Sequence, residues 1–205
     1  DREGKRAAAE AQAPRIWESL RPCNTAAAEY LTRRGLTGTA HLVRSAGSAI
    51  AVPLWREGRI TNVILRRIDD GEPRVRGLHG CGSDGTFGDA RDVETTTGAV
   101  VIVEGLTDWL SARLIWPGRL VLGAHGAGRL TYVAEVAASV ARDRGAEIVP
   151  DRDDTGRREA RKAIRRLVEL GVEWNRISIR DVAPHGDLAE WWRARRGVPN
   201  RPERE

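Results

Sequence analysis

Ala99-Val100-Val101-Ile102-Val103-Glu104-Gly105 decides how this chain is read. Five apolar residues run without alternation, which is the pattern of a strand buried on both faces, as in a parallel sheet covered by helices. An acid and a glycine follow at once. Working outward, the strand texture returns at 119–122, 146–149 and 176–179. Apolar residues at helical spacing fill 107–114, 130–144, 156–170 and 188–195, and Gly145 and Gly171 end the second and third of these. Strand and helix alternating at this spacing imply right-handed crossovers. The fold class is therefore α/β: a Rossmann-like parallel four-stranded sheet flanked by helices, over 99–196.

Upstream the texture differs. Ile16, Trp17, Leu20, Ala27, Tyr30 and Leu31 recur at helical spacing, interrupted at Pro22 and Asn24-Thr25. They predict two short helices, the second ended by Gly35 as a C-cap. Residues 1–14, rich in Ala and charge, read as a linker or frayed helix. Residues 49–54 and 61–68 predict two strands joined by a turn at 55–59, with a second turn at 69–73. Residues 77–98 carry Gly, Ser and Thr without periodicity and read as an ordered loop or a seam. The span 15–98 is thus a smaller N-terminal basic α+β lobe, and 197–205 a loose tail.

The 205 residues include 34 Lys and Arg against 29 Asp and Glu, a net charge of +5. An arginine-rich surface suits phosphate, and a coding bias toward Arg gives the same composition. No apolar run approaches the ~20 residues of a membrane span. Cys23 and Cys81 are the only cysteines, which excludes a Cys-rich zinc ribbon and a disulfide framework within these residues and suits a reducing cytoplasm. The charged start without Met reads as a piece of a longer protein.

Sites of open parallel sheets lie beyond the carboxyl ends of the strands. Glu104-Gly105-Leu106-Thr107-Asp108 follows the first strand, Asp151-Arg152-Asp153-Asp154-Thr155-Gly156 the third, and Asp181 and Asp187 the fourth. Asp151 and Asp153, two apart, share a side of an extended segment. Glu104 comes from another strand. Carboxylates gathered this way repel unless a cation neutralises them, and all-oxygen donors suit Mg²⁺ or Mn²⁺. Gly105 and Gly156 leave room at the site for a ligand or a close backbone. Each acid also has a structural use. Asp153 or Asp154 could cap the helix near Gly156, and Asp108 could complement a helix dipole. His125, in a Gly-rich loop lacking the Lys-Ser/Thr of a phosphate loop, reads as a structural hydrogen-bonder. Of Trp191 and Trp192, one is expected to pack inward.

The segment from Val100 to Leu188 resembles a TOPRIM domain, shared by bacterial (DnaG-type) primases, topoisomerases, OLD-type nucleases and recombination mediators. Val-Ile-Val-Glu104-Gly105-Leu-Thr-Asp108 and Asp151-Arg152-Asp153-Asp154-Thr155-Gly156-Arg157 are similar to the primase versions, and His185-Gly186-Asp187-Leu188-Ala189 to a later primase segment. Ile50 to Leu54, Gly58-Arg59-Ile60, Arg66-Arg67 and Gly71-Glu72-Pro73-Arg74 resemble the basic lobe that precedes TOPRIM in primases. The opening helices resemble those of phage, plasmid and mobile-element primases. The resemblance implies a DNA primase core that makes short RNA primers on single-stranded DNA from nucleoside triphosphates. It implies two Mg²⁺ or Mn²⁺ ions, with Glu104, Asp151 and Asp153 catalytic and Glu104, Asp108, Asp151, Asp153 and Asp187 as ligands. Arg66, Arg67, Arg74 and Arg76 would hold nucleic acid or nucleotide, and a replicative helicase would be the partner, in a bacterial or phage-infected cytoplasm. The sequence leaves open a zinc module fused before Asp1 or a helicase beyond Glu205. Arg74 stands where bacterial primases carry Lys, and a further Lys-bearing segment has no equivalent in 80–89. A TOPRIM nuclease and a non-catalytic nucleic-acid-binding module stay open as alternatives.

Overall fold

The computed structural model describes residues 1–69 and 74–198. The expected turn at 69–73 lies outside them from residue 70 onward, and so does the expected tail from residue 199 onward. In chain order the elements are α1 (Arg2–Ser19), β1 (Arg21–Pro22), α2 (Thr25–Arg33), β2 (Arg44–Ala46), β3 (Ala49–Arg56), β4 (Arg59–Arg67), β5 (Val75–Arg76), β6 (Val100–Val103), α3 (Leu106–Ile115), β7 (Val121–Gly123), α4 (Leu130–Arg144), β8 (Ala146–Val149), α5 (Asp154–Glu169), β9 (Ile177–Ile179) and α6 (Leu188–Arg195).

Two sheets result. The first is an antiparallel meander in the order β1-β2-β3-β4-β5, and the second is parallel in the order β7-β6-β8-β9. In the second, β6 is central, with Val101 beside Val121 on one side and Glu147 on the other. All four of its residues are buried, as the unalternating run requires. Helices α4 and α5 cover one face of this sheet through a core of Val100, Ile102, Leu122, Leu130, Val133, Ile148, Ile164 and Leu167. The opposite face meets α3, α6 and the N-terminal lobe in a second core. Ile50, Leu54 and Ile64 of the meander pack there with Val101, Val103, Trp109 and Leu110.

Of the two readings of residues 1–14, linker or frayed helix, the structure has a helix: one runs from Arg2 to Ser19 with Pro14 inside it, capped by Asp1, and takes in the first of the two short helices expected after residue 15. Ala13 and Glu10 are buried on it. Three short strands, β1, β2 and β5, add to the expected hairpin. The seam at 77–98 makes a single bridge to each sheet, Thr86 to Trp55 and Phe87 to Gly123. No helix among the described residues is long and apolar enough to cross a membrane.

Candidate active site

Glu104 leaves β6 at its carboxyl end with its side chain buried, and its Oε2 has no hydrogen-bond partner. Gly105 follows with φ +109°, a conformation that glycine adopts freely, and opens α3. A Cβ at Gly105 would lie 2.9 Å from Asp108 Oδ2, so the glycine also makes room for that carboxyl. Asp108, in the first turn of α3, is only 4% exposed. Its Oδ1 accepts from the Ala189 amide of α6 at 2.9 Å.

Asp151 follows β8 and is half-buried. A Cβ at Gly156 would overlap the Asp151 carbonyl oxygen, so the turn that aims Asp151 closes only over glycine. Asp153 is exposed and caps α5: its Oδ1 accepts from the Gly156 amide at 2.6 Å. Asp187 caps α6 in the same way, accepting from Glu190 at 2.6 Å. The loops behind Asp151 and before Asp187 are tied by the Arg152 amide donating to the Gly186 carbonyl at 2.8 Å. The capping role considered for Asp153 is therefore real, and Asp187 shares it. Asp108 does stand in a helix first turn, but buried and facing other acids rather than on a solvated dipole end.

The acids feel one another. Burial pushes the Asp151 carboxyl up to about 8, helped by the charges of Asp108, Glu104, Asp187 and Asp153. Burial and then Asp187 raise Asp108 to about 7, against the pull of the Ala189 amide and of Arg66. Glu104 is raised by burial and by Asp153, while the Asp151 and Ala127 amides favour its charged form. Asp187 is raised chiefly by burial. Such a set either shares protons or receives a cation. The donors are all oxygen, and the orphaned Glu104 Oε2 is the kind of atom a hard divalent ion satisfies. Among the described residues no group of three His, Cys, Asp or Glu side chains is drawn together closely enough to hold a metal as it stands. The residues fit a divalent cation chemically, and Glu104, Asp108 and Asp151 would have to close on it.

The arginines divide. Opposed residues of an antiparallel pair share a face, and successive residues alternate. Arg66 is paired with Val75, and Val75 packs on the inner core. Arg66 therefore faces the acids, and its Nε donates to the Tyr30 hydroxyl at 2.7 Å. Arg67 and Arg76 belong to the other face, and Arg67 pairs with Asp69 at 2.6 Å. Arg74 meets Arg67 through the backbone, its carbonyl accepting at 2.9 Å. The expected arginines thus divide between the two faces of the strand pair, with Arg66 on the side of the acids.

Three residues at this junction were given no functional part from the sequence. Tyr30, read there as core, is bonded to Arg66. Arg34 stacks on the Tyr30 ring at 5.2 Å from its centroid. Burial, Arg66 and Arg193 all oppose its charge, while Asp187 supports it. Three cations, from the C-cap of α2, from β4 and from α6, thereby meet the acids at the join of the lobes. Arg34 ends one helix and Arg193 lies in another, so no local spacing connects them. His125 packs edge-on against Phe87, with ring centroids 6.1 Å apart, a ring contact where a structural hydrogen bond was expected. Both tryptophans of the pair pack against the core, where one was expected, and Trp192 Nε1 donates to the Gly35 carbonyl at 2.9 Å.

No protein-family model and no curated protein matches the sequence. Solved structures do. A DnaG primase catalytic domain bound to single-stranded DNA superposes with a TM-score of 0.67 at 12% identity, over 94% of this chain and 76% of that one. A DNA primase domain from Pseudomonas aeruginosa gives 0.64 at 16% identity, over 91% and 74%. The fold is that of a DnaG-type primase catalytic core. The likeness extends at 0.51 and 17% identity, over 82% and 80%, to a bacteriophage T7 assembly. In it a lagging-strand DNA polymerase interacts with primase domains of two gp4 subunits bound to an RNA/DNA hybrid and dTTP. The agreement spans both lobes, since so much of this chain is covered.

Proposed function

We propose that this chain is the catalytic core of a DNA primase: a nucleotidyltransferase that makes short RNA primers on single-stranded DNA, of the phage, plasmid or mobile-element type and serving a replicative helicase. The observation that carries the reading is the convergence of Glu104, Asp108, Asp151 and Asp187 on one sheet edge, with Glu104 Oε2 buried and unpaired, inside a fold shared with DnaG cores. The phage or plasmid type and the helicase rest on the sequence resemblance alone.

In this reading Glu104, Asp151 and Asp108 hold divalent cations, with Asp153 and Asp187 contributing charge from their helix caps. A bound Mg²⁺ would polarise the triphosphate and offset the charge of the leaving pyrophosphate. Glu104 takes the proton of the attacking 3′-hydroxyl or orients that hydroxyl. Its raised pKa makes it a better proton acceptor than an ordinary glutamate. Arg66 and Arg34, at the join of the lobes, steer triphosphate oxygens toward the acids. Tyr30 fixes the Arg66 guanidinium by accepting its Nε–H.

The test is primer synthesis by the purified chain on single-stranded DNA with labelled nucleotides and Mg²⁺ or Mn²⁺. Glu104→Gln and Asp151→Asn should each lower the yield of short products by about 10²–10³-fold, the scale of a lost charge-stabilising group. Template degradation lost in the same variants would move the assignment to a nuclease. Nucleic-acid binding with neither activity would move it to a binding module.

A further inference from the structure

Helix α5 leaves the acidic edge directly after Asp153 and carries six cations: Arg157, Arg158, Arg161, Lys162, Arg165 and Arg166. Four of them are matched. Arg157 pairs with Asp154, Arg158 and Lys162 with Glu159, and Arg166 with Glu135 and Glu169. Arg161 and Arg165 are exposed and have no acid partner among the described residues. Arg157, Arg161 and Arg165 fall at i, i+4 and i+8, so they form one row of about 12 Å at 1.5 Å per residue. Like charges four apart destabilise a helix by several tenths of a kcal/mol. All three are exposed, on the flank of α5 beside its buried side of Ala160, Ala163, Ile164 and Leu167.

We infer that this row tracks the phosphate backbone of a double-helical nucleic acid leaving the site. Three guanidinium groups in line on a rigid element match a regular polyanion better than a single anion. α5 contains no aromatic residue. Surfaces for single strands add aromatic rings on which bases stack, whereas a duplex hides its bases and offers phosphates alone. The duplex implied is the primer–template hybrid, so this inference rests on the primase reading.

The experiment measures binding of a short RNA–DNA hybrid, and of its DNA strand alone, to the chain and to Arg161→Ala/Arg165→Ala across a salt series. Both positions are exposed, so the fold is unaffected, and circular dichroism checks this. The double variant should weaken hybrid binding several-fold at low salt and lower its log–log salt slope by about two, near 0.9 per lost phosphate contact. It should bind the single strand almost as before. Unchanged hybrid binding, or an equal loss on the single strand, overturns the inference. If the wild-type chain makes no primers yet shows the hybrid-specific loss, the surface stands and the primase reading falls.

Discussion

Asp151 and Asp153 stand two apart in the chain, and the fold uses them differently. Both acids were visible as a pair at a strand end. That one of them would be an N-cap depended on where α5 starts, and an N-cap preference is common to many acids. The two roles separate by substitution. Asp153→Asn keeps a good cap and removes the charge, whereas Asp153→Ala removes both. Asp153→Ala should cost ~1 kcal/mol in chemical denaturation and Asp153→Asn almost nothing. If Asp153 also serves the cation, both should lower primer synthesis, and equal full activity in both would restrict the residue to capping. The buried acids make a second prediction. An unfolded aspartate loses its proton near 4, but folded Asp108 and Asp151 hold theirs to about 7 and about 8. Between those values the folded state binds more protons, so stability falls as pH rises from about 4 to about 8. Glu10 and Glu147 are shifted downward and act below that window. Melting followed in chelator should therefore occur lower at pH 8 than at pH 5.5, by about 2–4 °C for each kcal/mol at this chain length. Asp151→Asn should flatten the slope, and Mg²⁺ should oppose it. A wild-type melting point that holds level or climbs across this range would sink the assignment of these acids as buried and mutually repelling.

At the scale of elements, the parallel half was legible, while the first helix was legible only as one of two readings and its extent to Ser19 was not. Strand β6 declares itself by an unbroken apolar run, and α4 by its Ala/Val pattern between a strand and Gly145. Helix α1 shows no apolar stripe, and Pro14 sits where a helix interior would lose a hydrogen bond. What holds it is ionic. Buried Glu10 accepts from Arg6 Nε at 2.7 Å and from the Gly82 amide at 3.1 Å, and it also binds Arg56 Nη2. Arg6 continues the chain of charges to Asp84, which binds Arg129 at the foot of α4. Partners 46 and 72 residues away from Glu10 leave no local trace. Glu10→Ala strands Arg56 and the Gly82 amide together, and charged hydrogen bonds are worth about 1.5–3 kcal/mol. The expected cost is ~2 kcal/mol in urea unfolding, with α1 losing amide protection first. A cost under ~0.5 kcal/mol would mean that α1 is held by its apolar contacts alone. The arginines divide for a related reason: Arg66 and Arg67 are neighbours in sequence, and strand alternation puts neighbours on opposite faces.

At the scale of the whole molecule, the boundary at 98/99 separates two sheets but not two cores. Tyr30, Leu31, Ile50, Leu54 and Ile64 from one side and Val101, Val103, Leu106, Trp109 and Leu110 from the other form a single buried cluster. Composition marked the change of texture at 99. It could not show that the meander needs the parallel sheet to cover its inner face. Phe87 sits at the join, fully buried, with its ring 6.1 Å from Trp109 and its backbone paired to Gly123. Lobes that share one core have no separate unfolding equilibrium, because opening either exposes the apolar face of the other. Native-state hydrogen exchange should thus give the slowest amides of β3 and β4 the same opening free energy as those of β6 and β8. Phe87→Ala removes a large buried ring, a change that costs about 3–5 kcal/mol, and it should lower protection in both sheets by equal amounts. If the meander opened well below β6 in the unaltered chain, or if Phe87→Ala loosened one sheet alone, the lobes would be separate folding units. The placing of Arg34 and Arg66 against Asp108 and Asp187 would then depend on a hinge. Equal protection instead makes that placement a property of the packed core, so the cations and acids meet without any ligand to draw them together.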